Sequence, residues 1–152
     1  MKKIFVYDGI ADKPLYGDGY RAVASGYVEG AKLMFAAEDI GGFVYTTAYA
    51  DESTVNDRIY GTLWEVDEES YDWLVGDLYG DLAVSKGLTF VSSDGEKDKA
   101  DTCYLAGGVF AVPSENRVRA LERYYEYYDL DTAYIRKAVD DCECEVSGGA
   151  RA

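Results

Sequence analysis

The chain has 152 residues, 29 of them acidic and 15 basic, for a formal charge of −14 with no histidine. That length suits one domain with a real core, while the negative field repels phosphate backbones and argues against direct nucleic-acid binding. Absent histidine removes Ser-His and Cys-His nucleophile pairs, and an odd set of cysteines (Cys103, Cys142, Cys144) leaves no zinc site or other cofactor to expect.

Residues 3–7 predict a short apolar strand, broken at Asp8–Gly9 and followed by a loop through Pro14, Gly17 and Gly19. Residues 22–28 and 31–36 read as a hairpin turning at Glu29–Gly30, and 43–47 as the next strand. Along 59–66, residues Tyr60, Thr62, Trp64 and Val66 alternate with Ile59, Gly61, Leu63 and Glu65, the pattern of a central strand. Tyr71, Leu74, Val75 and Leu78 then mark one face of a helix over 69–79, capped by Asp67 or Ser70 and stopped by Gly80. Residues 83–91 and 101–112 read as strands around a charged loop at 92–99. Val118, Leu121, Tyr125 and Tyr128 predict a helix over 114–128 capped by Ser114, and Ile135, Ala138, Val139 and Cys142 a second over 131–143.

Many strands followed by a helix pair predict an α+β fold, a small mixed β-barrel with flanking helices. A single domain over 1–146 is expected, with 147–152 a frayed tail. No run of eighteen apolar residues occurs and the first seven residues are too short for a signal peptide, so a cytoplasmic protein without membrane contact is expected.

The order of these landmarks resembles the gamma-glutamylcyclotransferase (AIG2-like, BtrG-like) superfamily. Ile4–Tyr7 stands where that family has a strand running into Tyr-Gly-Ser-Asn, and Gly61–Val66 where it has Gly-x-Leu-Trp/Tyr. The segment ending at Gly80 resembles its Leu-Asp-x-x-Glu-Gly helix, and residues 124–131 with Ile135 and Ala138 its closing helix pair. The resemblance spans roughly residues 3–142 and implies a barrel enclosing a cavity, with Tyr7, Asp8, Gly9, Ile10 and Tyr79 lining a ligand pocket.

What the resemblance implies about chemistry is altered by three departures. The family's glutamate takes a proton from the substrate α-amine, which then closes on its γ-carbonyl to release 5-oxoproline. Tyr79 stands at that position, and a phenol of pKa about 10 is a poor base at neutral pH. The loop whose amides hold the substrate carboxylate in the family reads Tyr7–Asp8–Gly9–Ile10, which adds a negative charge. The tyrosine that follows Glu-Gly in the family has Val84 or Ser85 in its place.

Two functional classes follow. The first is a non-catalytic binding protein. It would dock its acidic, tyrosine-rich surface (Tyr124, Tyr127, Tyr128, Asp140, Asp141) on a basic protein site, such as a nucleic-acid-binding groove, or sequester a small molecule in the barrel cavity. The second is an active, divergent cyclotransferase with Asp77 or Asp81 as base. Against both stands a plainer reading of these residues, an acidic solubility coat and half-buried tyrosines at a barrel edge.

Overall fold

The computed structural model describes residues 2–8, 20–37, 44–78 and 82–151. Five strands close into a barrel in the order β1 (Lys2–Val6), β5 (Arg58–Val66), β2 (Tyr20–Glu29), β6 (Ala83–Ser92) and β7 (Lys97–Tyr104). The closing contact is parallel, Ile4 beside Asp101, whereas β1 and β5 run antiparallel with Phe5 opposite Leu63. A second sheet, in the order β4 (Tyr45–Tyr49), β3 (Lys32–Ala37) and β8 (Val109–Phe110), lies beside the barrel. Helices α1 (Glu68–Trp73), α2 (Glu115–Tyr127) and α3 (Ala133–Arg151) complete the α+β fold. Among the described residues no helix is long and apolar enough to cross a membrane.

The alternation of β1 divides the core. Phe5 and Tyr7 join a large cluster with Phe35, Leu63, Phe90, Leu121, Tyr125 and Ile135, which welds barrel, second sheet, α2 and α3 together. Ile4 and Val6 face the other way, onto Trp64, Val66, Tyr71 and Leu74. Each such fully buried side chain contributes on the order of 1.5–3 kcal/mol of burial free energy.

The hairpin expected over 22–28 and 31–36 does not form. β2 pairs with β5 and β6, while β3 pairs with β4 and β8, so consecutive strands enter different sheets. Gly30, at φ +86°, makes the turn between them, and its carbonyl accepts from the Thr54 hydroxyl at 3.0 Å. β2 takes β6 as neighbour because Gly26 has no side chain: a Cβ there would lie 2.0 Å from the Val91 carbonyl oxygen. The strand expected over 101–112 likewise divides, into β7 in the barrel and β8 in the second sheet. The loop expected at 92–99 is shorter, since β6 and β7 are joined by a tight turn at 93–96.

The helix expected over 69–79 begins as read, with the Asp67 carboxylate accepting from the Ser70 N–H at 2.7 Å, but its second half, Leu74–Leu78, is a π turn. Ser114 caps α2, accepting from the Arg117 N–H at 3.3 Å. α3 extends to Arg151, over the residues expected as a tail from Ser147. Ile135, Ala138 and Cys142 anchor the first half of α3 in the core.

Candidate functional site

β1 delivers Tyr7 into the core at 3% exposure. Its hydroxyl donates to the Cys103 carbonyl at 2.5 Å and accepts from the Ala48 N–H at 3.1 Å, tying β1 to β7 and β4. Burial, and secondarily the Asp8 carboxylate, push this phenol well above its ordinary pKa. The space bounded by residues 4–8, Thr102 and Cys103 leaves no room for a water molecule. Among the described residues Tyr7 is thus a buried strut between strands, its hydroxyl shared between Cys103 and Ala48.

Asp8 is half-buried, and its charge reaches several groups at once. It raises the pKa of Tyr7, Cys103, Tyr124 and Tyr125, in each case after the larger effect of burial. The Cys103 thiol is pushed up to about 12. Burial lowers the pKa of the Arg117 guanidinium, and Asp8 opposes that shift, so a carboxylate and a guanidinium share this locus. Arg117 also donates to the Thr46 hydroxyl at 3.4 Å. Arg117 and Cys103 escape a reading of the sequence because the strand register and the start of α2 bring them to Asp8, and Thr46 joins through Arg117.

Of the other residues expected in the pocket, Gly9, Ile10 and Tyr79 lie outside the described residues, as does Asp81, one of the two aspartates expected as base in an active enzyme. Asp77 falls within the π turn, and its side chain lies outside the described residues too. An apolar hollow of about 480 Å³ opens next to the Tyr7 locus, bounded by Ala31, Tyr49, Leu88, Tyr104 and Leu105. Ala48 links the two, for it also borders the hollow while its N–H serves Tyr7.

The tyrosines expected on the partner surface separate. Tyr124 does not belong there: it is 6% exposed, because its position on α2 faces β5. Its hydroxyl bonds the Thr62 hydroxyl, which also accepts from the Trp64 indole N–H at 2.7 Å. Tyr125 donates to the Tyr60 carbonyl at 2.6 Å, so both phenols dock α2 on the barrel. Tyr128 is half-buried, edge-on to Trp64 and Tyr124. Tyr127 alone of this set is open, at 76% exposure. Asp140 is exposed, whereas Asp141 pairs with Lys32 of β3 at 3.7 Å, a different neighbourhood from that of Tyr128.

What the geometry defines is a small mixed barrel, a second sheet and flanking helices, with a carboxylate following the buried tyrosine that ends β1. Neither a protein-family model nor a curated protein matches the sequence. Solved structures do match. A gamma-glutamyl cyclotransferase superposes with a TM-score of 0.74 at 15% identity, over 90% of this chain and 85% of that one. YkqA from Bacillus subtilis gives 0.68 at 15% identity, over 93% and 54%. A yeast gamma-glutamyl cyclotransferase specific to glutathione gives 0.62 at 7% identity, over 92% and 98%. The chain has the gamma-glutamylcyclotransferase fold.

Proposed function

We propose that this chain is a binding protein on the gamma-glutamylcyclotransferase fold, does not release 5-oxoproline, and docks on a basic protein surface. The observation that carries the reading is Asp8. It places a carboxylate where the family resemblance would seat the substrate's own carboxylate, beside a phenol whose hydroxyl is already committed to Cys103 and Ala48. Two like charges at that spot repel, and burial strengthens the repulsion. The formal charge of −14 supplies long-range attraction for a basic partner. Use of the apolar hollow to hold a small molecule is a variant of the same binding role.

The active-enzyme reading keeps one supporting feature, the π turn at Leu74–Leu78 that contains Asp77, since π turns recur at functional sites. Incubation with γ-glutamyl dipeptides and γ-glutamylamines decides between the readings. No 5-oxoproline above background is expected. Turnover that disappears in Asp77→Asn or Asp81→Asn would overturn the binding reading and establish a divergent cyclotransferase.

A further inference from the structure

A groove of about 670 Å³ opens beside the first half of β2, where β6 ends and turns into β7. Leu63 and Phe90, both nearly fully buried, form its floor, and Tyr60, Tyr27 and Tyr128 line its walls. One bank is the β6–β7 turn and the start of β7, with Asp94, Glu96 and Asp98; the other is the corner between α2 and α3 with Asp129 and Asp131. No lysine or arginine is among the described residues that line it.

The backbone of β2 forms the third side. β2 pairs with β5 along its whole length, but with β6 only over Gly26–Val28. Beyond that point the Ser25 carbonyl accepts from the Ser93 N–H at 3.0 Å, so this side of β2 is a hydrogen-bonding edge. Over residues 20–24 no strand pairs with that edge among the described residues. A bulge between Ala22 and Ala24 leaves Val23 at 45% exposure on the groove.

An open strand edge beside an apolar floor accepts an extended chain, whose backbone completes the ladder while alternate side chains reach the floor. The two acidic banks decide what that chain carries. We propose that the groove takes an extended lysine- or arginine-rich segment of a partner protein, laid along β2 between the β6–β7 turn and the α2–α3 corner. A second copy of this chain is disfavoured because each copy carries −14. The groove assignment rests on the binding role proposed above and gives that role a place.

The test uses a fluorescein-labelled nonapeptide of alternating lysine and valine, titrated with the full chain and read by anisotropy. Asp94→Asn/Glu96→Gln/Asp129→Asn removes three bank charges and spares Asp98, which pairs with Lys3, and Asp131, which bonds the Ala133 N–H. Asp129 sits at φ +57°, a conformation asparagine also adopts, so the triple variant keeps its backbone. The variant is expected to weaken binding about tenfold or more, mainly through the association rate. Asp140→Asn/Glu143→Gln/Glu145→Gln on α3 removes the same charge and is expected to change binding less than about twofold. N-methylation of alternate peptide nitrogens is expected to abolish binding, since it removes the donors that would meet the β2 edge.

Absence of binding at low salt overturns the proposal. Equal losses from the two triple variants overturn it in favour of a diffuse charge effect. A loss confined to the α3 variant moves the partner to α3, so the groove fails while the binding role survives. Dimerisation of the chain that the groove substitutions abolish makes a second copy the occupant, and overturns the proposal as well. Release of 5-oxoproline by the same preparation, with groove-dependent peptide binding intact, overturns the non-catalytic reading and supports the groove.

Discussion

The hydroxyls of Tyr7, Tyr124 and Tyr125 end on main-chain or threonine oxygens that join separate elements. Tyr7→Phe leaves the buried Cys103 carbonyl and the Ala48 N–H each short of a partner. A loss of roughly 1–3 kcal/mol is expected in urea unfolding, with little change in m-value. All three phenols have pKa values raised above 10.0, chiefly by burial. Their stabilising contribution is complete below pH 10 and is lost as pH rises beyond it, because the unfolded chain gives up protons that the folded chain keeps. Cys103 adds the same sense of dependence, from its ordinary 9.0 up to about 12. Stability measured from pH 8 to 11 should therefore fall from about pH 9 upward, and Tyr7→Phe should flatten the part of the curve above 10.

Each helix shows how far local sequence reaches. Asp67 and Ser114 are short polar residues ahead of apolar residues at helical spacing, and both cap as their type suggests. Ser114→Ala is expected to cost about 1 kcal/mol in thermal or urea unfolding, while Ser114→Asp should hold or improve stability beside the α2 dipole. That β1 and β5 lie side by side, with Phe5 opposite Leu63, matches what the order of landmarks along the chain implied. Which sheet a strand joins was not legible. β2 and β3 are separated by two residues and read as a hairpin, yet their partners lie as far away as β6 and β8. That choice depends on Gly26 admitting the β6 backbone, a long-range packing fact that no window of sequence contains. The π turn at Leu74–Leu78 is likewise absent from the helical spacing of its residues.

At the scale of the whole molecule, charge and fold were legible while the assembled sites were only partly so. Asp8 stood out because a carboxylate followed the β1 tyrosine; its reach to Arg117 and Cys103 needed the barrel to close. The tyrosines of 124–128 attracted attention as a cluster, but helical spacing spreads them around α2, and only Tyr127 is fully open. Asp94, Glu96 and Asp129 lie up to 35 positions apart in the chain and share a groove only because a tight turn and a helix corner meet beside the first half of β2.

α3 docks on the second sheet through Cys142, whose Sγ lies 3.2 Å from both the N–H nitrogen and the carbonyl oxygen of Phe35. Cys144, two residues further along, is exposed. The helix thus carries a sealed thiol and an open one within a single turn. With a fluorogenic maleimide in excess, Cys144 should be consumed at once. On a Cys103→Ala background, which removes the other buried thiol, Cys142 should then react only as often as α3 lifts from β3, so the ratio of the two rates is a clock for that opening. Phe35→Ala should quicken the slow phase and leave the fast one unaltered, and equal rates in the parent chain would mean that the helix is not seated.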